Sequence, residues 1–564
     1  MVSSKSAIMA SNSNLLRLDD LLVNNFGQFG LYQKIQLFLV GIPTIFTSMH
    51  ALSWTFAGAK LNHRCVYPGE NVTTASYNPK TLWYDTVSNI STAEGGCSRI
   101  ANLTYNGPIP SNITLEPCND GYVWDHSDIA LSAVDRWSLV CDRDIIIATV
   151  QALYFVGQMV GSIFFGLLSD KVGRKPCFII AILLQIICGS CMAIVPNWGL
   201  MTALRTGTGF GHTGVFILAV VIGVELVGPK YRLLSSILAG VFWALGIMIL
   251  GALSYPLRDY RYLALAISLP AVVLLLYWFI IPESARWLMS QGRYKEVDTI
   301  LAKLAKWNDK PPLPPGWYEN VEKEEPRKLG YFQSAAVLFS TPRLRIRTVI
   351  SFLLWAVVTM SYYGLAINPA FMGGDNRLGF ILGGLLEIPG LLVILLVNYI
   401  GRKFLCAGGF LLAALCLGLT LAVPPAYQLA SLLLVVIGKS ALTAVFALVY
   451  IWTPEHYPTM IRSTATGASS MFGRVGGIGA SYFSLKLAND HPEIVALTLA
   501  GFAALAGILA FILPETTGEP FLETIEEAEA LGLDQPIFIS GRGNQKLVAE
   551  RLRGKSTTEI VQKK

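Results

Sequence analysis

Twelve stretches of this chain are too apolar, over too great a length, to fold in water. A hydrocarbon core about 30 Å thick takes roughly 20 residues of α-helix to cross. Stretches of that kind begin near residues 33, 145, 176, 199, 233, 261, 347, 378, 404, 428, 463 and 492. The runs from Phe178 to Ile194, Ala271 to Ile281 and Ile494 to Leu513 are nearly free of polar residues. A helix on the surface of a soluble protein would instead turn a polar residue to water every two or three positions. Composition agrees, since 14% of the residues are charged against about 25% in soluble domains. The expected class is an all-α polytopic membrane protein. Residues 1–32 are largely polar and include Asp19 and Asp20, so the first stretch is expected to serve as its own insertion signal, with no cleaved leader.

Residues 57–143 form the only long polar segment between the first two spans. They carry four glycosylation acceptors, Asn71-Val-Thr73, Asn89-Ile-Ser91, Asn102-Leu-Thr104 and Asn112-Ile-Thr114, and the rest of the chain has none. Four acceptors in one loop point to luminal synthesis and an extracellular position. Cys65, Cys97, Cys118 and Cys141 of the same loop read as two disulfides, with three pairings open. Cys177, Cys188, Cys191, Cys406 and Cys416 lie in apolar spans and read as small buried residues. With this loop outside, every second loop faces the cytosol, and basic residues gather there: Lys171, Arg174 and Lys175, then Lys230 and Arg232, Arg402 and Lys403, and Arg462. Residues 282–346 are rich in Lys and Arg and hold no span, so they read as a cytosolic linker between six helices in 33–281 and six in 347–513. Residues 1–32 and the tail 514–564 are then both cytosolic. The net charge of +6 follows from this topology, and no basic and aromatic stripe accompanies it, which excludes nucleic acid as a partner. No metal-ligand cluster, nucleophile elbow or phosphate-binding loop is visible, so neither an enzyme nor a bound metal or cofactor is expected.

Three pairs of segments recur at nearly one offset. Asp170-Lys-Val-Gly173-Arg174-Lys175 matches Asn398-Tyr-Ile-Gly401-Arg402-Lys403. Glu225 followed by Arg232 matches Glu455 followed by Arg462, and Pro282-Glu283-Ser284 matches Pro514-Glu515-Thr516. Each falls at the cytosolic end of the corresponding span in its half, which is the mark of a parallel six-helix repeat. The first motif resembles the loop motif of the major facilitator superfamily, and Arg205-Thr-Gly-Thr-Gly209-Phe-Gly211 is similar to its fourth-helix motif. Within that superfamily, the glycosylated first loop, Pro282-Glu-Ser-Ala-Arg-Trp-Leu288, Glu455-His-Tyr-Pro-Thr-Met-Ile-Arg462 and Pro514-Glu-Thr-Thr-Gly-Glu-Pro resemble the organic cation, carnitine and organic anion transporters (solute carrier family 22). In motif detail the carnitine or zwitterion branch is nearest. The resemblance implies the major facilitator fold, two pseudo-symmetric six-helix bundles, and alternating access in the plasma membrane. Asp170, Arg174, Glu225 and Arg232, with Arg402, Glu455 and Arg462 in the second half, read as a latch of helix-end charges and not as a substrate site. Asn398 lacks the charge of Asp170, so the second half of the latch is expected to be the weaker.

A charge at membrane depth is a functional hypothesis by default. At 1.5 Å per residue, Glu387 lies roughly 14 Å into its span and Arg474 roughly 16 Å into its own, with Lys439 at similar depth. The family resemblance places a glutamate at 387 in cation and carnitine carriers, and an arginine at 474 in anion and carnitine carriers. A site with both signs suits a zwitterion: its carboxylate would meet Arg474 and its amine Glu387 and aromatic faces. The bland alternative is that Glu387, Lys439 and Arg474 pair with one another to hold helices together. Trp355, Tyr362, Trp243, Phe216 and Gln151 match cavity positions of the family and complete the expected substrate set. His212 reads as a buried, hydrogen-bonded histidine and Arg205 as a brace for the fourth helix. The leading reading is a carrier of small zwitterionic or cationic amines, such as carnitine-like betaines or β-alanine, with a sodium or proton coupling left open. An organic anion exchanger and a non-transporting receptor on the same fold are the alternatives.

Overall fold

Within hydrocarbon, backbone N–H and C=O groups find partners only inside their own segment, so each span must be helical from end to end. The computed structural model describes residues 18–550, apart from 72–74, 79–95, 102, 109–113, 315, 321–330, 368–375, 425, 459, 489–490, 520–521 and 523. Eleven helices among the described residues are long and apolar enough to cross a membrane: α1 Leu31–Ala57, α2 Cys141–Val172, α3 Arg174–Cys191, α4 Trp198–Leu226, α5 Pro229–Leu253, α6 Tyr260–Ile280, α7 Pro342–Ile367, α8 Arg377–Ile400, α9 Arg402–Thr420, α10 Gln428–Glu455 and α12 Pro492–Ala510. The remaining span, α11, is the helix Arg462–Tyr482. It is less apolar because one face packs against α7 and α2, while Phe472 and Val475 on the other face are exposed. A Cβ on Gly476 would strike the carbonyl of Ala356 in α7, and one on Gly477 would strike the Phe155 ring in α2. The glycines let α11 lie against both neighbours.

Two prolines shape the spans. Pro270 leaves the middle of α6, Leu269–Leu276, wound as 3-10 helix. Pro389 has no N–H for the carbonyl of Leu385, and α8 is interrupted there, ending one helical piece at Leu385 and starting the next at Glu387. The interruption delivers a carboxylate to the middle of the membrane.

Below, the loop side is the face that carries residues 57–143 and the linker side is the opposite one. On the loop side, β1 His63–Cys65 pairs antiparallel with β4 Tyr122–Trp124, and β2 Ser98–Ile100 with β3 Leu115–Pro117. So small a unit has little core of its own, and disulfides are its usual staple. They join Cys65 to Cys118 and Cys97 to Cys141, choosing one of the three pairings and tying the loop to the start of α2. Asn71 is exposed, whereas Asn89, Asn102 and Asn112 lie outside the described residues. Replacing Cys65 by serine should free one thiol for maleimide labelling. Adding Cys118→Ser should remove that label, and adding Cys97→Ser instead should raise the labelling; the reverse pattern would contradict the pairing.

Among the described residues, the ion pairs that join the two halves lie at the loop side: Asp144 to Lys486 at 2.5 Å and Asp128 to Arg377 at 2.9 Å. Thr55 adds a hydrogen bond to the carbonyl of Ile367 at 3.0 Å. The charged clusters at the linker side each stay within one half. The fold is therefore shut toward the loop side. The tail helix Ile525–Ala530, although acidic, packs Ala528 into a buried cluster, and Glu529 accepts from the backbone N–H of Arg343 at 3.1 Å. Its apolar alanines give it a face to bury.

Candidate substrate site

Glu387 stands at the break in α8, and Lys439 reaches it from α10 with Nζ 2.9 Å from Oε1; each side chain is 1% exposed. The hydroxyl of Tyr362 in α7 donates to the same oxygen at 2.9 Å, and Nε1 of Trp243 in α5 donates to that hydroxyl at 2.8 Å. The Lys439 ammonium lies 5.7 Å from the centre of the Tyr362 ring. A single chain of polar contacts thus crosses from one half to the other at membrane depth. Trp243 also packs edge-on against Phe216 at 5.6 Å and His212 at 5.6 Å. His212 Nδ1 in turn is 2.8 Å from the Tyr154 hydroxyl, the hydrogen-bonded histidine expected.

An aromatic wall continues below this pair. Trp355 meets Tyr450 at 4.4 Å, Tyr450 meets Phe446 at 5.8 Å, and Phe446 meets Tyr362 at 5.7 Å. Nε1 of Trp355 is held by Thr453 Oγ1 at 2.9 Å. Phe446, Tyr450 and Thr453 were not singled out from sequence. The signal was present, because Lys439, Thr443, Phe446, Tyr450 and Thr453 recur every three or four residues and share one face of α10.

Arg474 behaves differently from the other two ionisable residues. It is 4% exposed, Nε has no hydrogen-bond partner, and no carboxylate among the described residues comes within ion-pair distance. The three-way pairing weighed from sequence is therefore reduced to two partners, Glu387 and Lys439. Geometry explains this, since Lys439 and Tyr362 both reach Oε1 of Glu387, whereas Arg474 on α11 comes within ion-pair distance of neither oxygen. Gln151 is also placed elsewhere than expected: its Oε1 accepts from Arg205 Nη2 at 2.6 Å and Nε at 3.3 Å, and the side chain is fully buried. It fixes Arg205 and does not face the aromatic wall.

At the linker side the repeated motifs build two matching clusters. Gly173 and Gly401 both take positive φ, 113° and 101°, and a Cβ at either would strike a glutamate, Glu283 or Glu515. Glu283 Oε1 accepts from the N–H of Arg174 at 2.9 Å and of Lys175 at 3.2 Å, capping α3. Glu515 accepts from the N–H of Arg402 and of Lys403, both at 3.0 Å, capping α9. Carboxylates at helix N-termini are stabilised by the exposed N–H groups and the helix dipole. The cap of α3 is thus Glu283 and not Asp170. Asp170 is 64% exposed and reaches only the Arg174 guanidinium, at 3.1 Å. Arg174 also lies 3.5 Å from Glu225, whereas Arg402 grips Glu455 with two hydrogen bonds of 3.0 and 3.1 Å and Asn398 with one of 3.2 Å. The neutral Asn398 has not loosened the second cluster, because Glu455 comes closer. Arg462 donates to the carbonyl of Tyr457 at 3.5 Å. Arg232 pairs with Asp19 at 2.6 Å, and Arg286 shares that carboxylate at 2.6 Å. Burial would raise the pKa of Asp19, but Arg286 and Arg232 together hold it below the usual carboxylate range.

Residues 106–528 match the family model described as sugar (and other) transporter. The chain is 36% identical over 553 residues to an organic cation transporter protein of Drosophila melanogaster, covering 95% of this chain and 99% of the relative. It is 31% identical over 523 residues to solute carrier family 22 member 4 of Mus musculus, covering 89% and 93%. The chain belongs to solute carrier family 22. The fold agrees with the xylose transporter XylE from E. coli in a partially occluded inward open conformation, at a TM-score of 0.55 and 17% identity over 86% of this chain and 100% of that one.

As a member of solute carrier family 22 this is a multi-pass membrane transporter of the major facilitator type and not an enzyme. Both linker-side clusters lie at helix ends away from the aromatic wall, each within one half. Glu283, Glu515 and Asp19 were missed as cluster members, although the repeat of Pro282-Glu283 in Pro514-Glu515 was the signal for two of them. Glu283→Gln should lower maximal uptake severalfold at unchanged apparent KM, because the cap is far from the aromatic wall. Asp170→Asn, removing one exposed pair of about 0.3–0.5 kcal/mol, should act the same way but more weakly. Initial-rate uptake by surface-matched variants checks both.

Proposed function

We propose that the chain carries small organic solutes bearing a carboxylate, zwitterionic amines first among them, across the plasma membrane by alternating access. The observation that supports this is Arg474, a buried guanidinium with no carboxylate among the described residues to meet it. A substrate carboxylate would supply the missing partner through two parallel N–H···O bonds. The substrate amine would displace Lys439 from Glu387 and lie against Tyr362, Trp355 and the α10 aromatics. The names of two relatives, organic cation transporter protein and organic cation transporter-like protein, favour an amine-bearing solute. A second reading, an organic anion carrier, draws on the closed Glu387 to Lys439 pair, which leaves Arg474 as the one unpaired charge among these three.

Competition by carnitine, β-alanine, tetraethylammonium and a dicarboxylate for labelled uptake separates these readings. Zwitterions should compete best; tetraethylammonium alone competing would overturn the carboxylate requirement. Repeating uptake with sodium replaced and pH varied identifies a coupling ion. The four acceptor triplets support an extracellular loop side with both termini cytosolic. Glycosidase treatment of protein from animal cells should then sharpen and speed its gel band.

A further inference from the structure

A second buried cation lies outside the central site. Arg205 in α4 is 1% exposed, and no carboxylate among the described residues comes within ion-pair distance. Three of its five N–H groups are used, two on the single oxygen Oε1 of Gln151 and one on Ser53 Oγ at 3.2 Å. The ring faces of Tyr154 and Trp54, 4.8 and 5.2 Å from the guanidinium carbon, offset part of the charge and accept no further N–H bond of their own in the plane of the group. Gln151 spends its oxygen on Arg205 and leaves its own buried Nε2 without a partner. The Ser53 hydroxyl proton is already given to the carbonyl of His50 at 3.1 Å. The cluster is therefore rich in donors and short of acceptors, and it is positive in a medium where an unneutralised charge is strongly disfavoured.

Beside this cluster is a small cavity lined by Arg205, Ser53, Met192, Met201, Tyr260 and Ile267. It holds one water-sized occupant and no organic substrate. The Tyr260 hydroxyl accepts from Arg136 and keeps its own proton to donate. Arg136 stacks over the Tyr260 ring at 5.9 Å and belongs to the loop segment, so a positive side chain leads from the loop side toward the cavity. Arg205 and Tyr260 both line it, and the rest of the lining is mostly apolar.

We propose that this cavity is a site for a single monatomic anion, chloride in a saline medium, which neutralises Arg205 and ties α4 to α6. The anion is structural or regulatory and distinct from the substrate carboxylate, because it sits among α1, α4, α6 and the end of α3 in one half whereas Arg474 is on α11 of the other. The experiment is thermal unfolding of the purified full-length protein in lipid nanodiscs, titrating chloride against gluconate at constant sodium. A saturable rise in Tm is expected with chloride and bromide and not with gluconate. Tyr260→Phe, which removes one donor and keeps the ring, should raise the half-saturating chloride on the order of fivefold. Arg474→Gln should leave the half-saturating chloride unchanged. Equal Tm values in chloride and gluconate would overturn the proposal, as would a chloride response lost in Arg474→Gln but retained in Tyr260→Phe.

Discussion

Replacing Arg474 with aspartate should reduce uptake of a betaine or ω-amino acid by about 100-fold or more, while a permanent quaternary ammonium ion is carried as well as before or better. The size follows from what is stranded. A substrate carboxylate drawn into this buried position without its guanidinium loses a charge-assisted pair, and breaking such a pair in a low-dielectric site costs about 3–5 kcal/mol. Aspartate also reverses the sign at a place that is 4% exposed, where no water screens the repulsion. Lysine should be intermediate, since it keeps the charge but presents a single point in place of the planar fork. Uptake of both probes by surface-matched variants is the measurement. An equal fall for betaine and quaternary ammonium would make Arg474 a brace between α11 and its neighbours and would remove the main support for a carboxylate-bearing substrate.

The second large effect is expected at Lys439. Lys439→Met leaves Glu387 at 1% exposure with the Tyr362 hydroxyl as its remaining close partner. Removing one member of a buried ion pair typically destabilises by about 3–5 kcal/mol, whereas exchanging both members for neutral groups of similar volume is close to neutral. The single variant should therefore melt well below the parent, and Lys439→Met with Glu387→Gln should recover most of the loss. Tetraethylammonium should raise the Tm of Lys439→Met far more than that of the parent, because the carboxylate no longer has an internal cation to release first. Three thermal melts with and without the ligand decide the matter. If the double variant melts as low as Lys439→Met, the two residues are not coupled, and Lys439 acts through packing alone.

Much of this was legible without coordinates. Spans expected to begin near 199, 378, 428, 463 and 492 begin at Trp198, Arg377, Gln428, Arg462 and Pro492. Even α11, the least apolar of the twelve, was counted among the spans from its length and composition. The midplane residues Glu387, Lys439 and Arg474 could be ranked by depth alone. Their pairing could not. The sequence offered one anion to two cations, and the linker-side motifs offered several carboxylates to several arginines, with nothing to single out Glu283 as the cap of α3.

What the amino-acid sequence determines here is one-dimensional. The rise of an α-helix and the thickness of hydrocarbon fix where the chain crosses, and a repeated spacing fixes that six crossings are followed by six more. Which side chains meet depends instead on how each helix is turned about its own axis and how deep it sits, and packing against neighbours sets both. Gly476 lets α11 press on Ala356 of α7, Pro389 breaks α8 just where Glu387 must turn toward Lys439, and Gly173 opens the turn that admits Glu283. The tertiary structure alone decided that Glu387 belongs to Lys439 and that Arg474 is left to wait for a partner, since a buried carboxylate can close on one cation only where the helices bring that cation within reach.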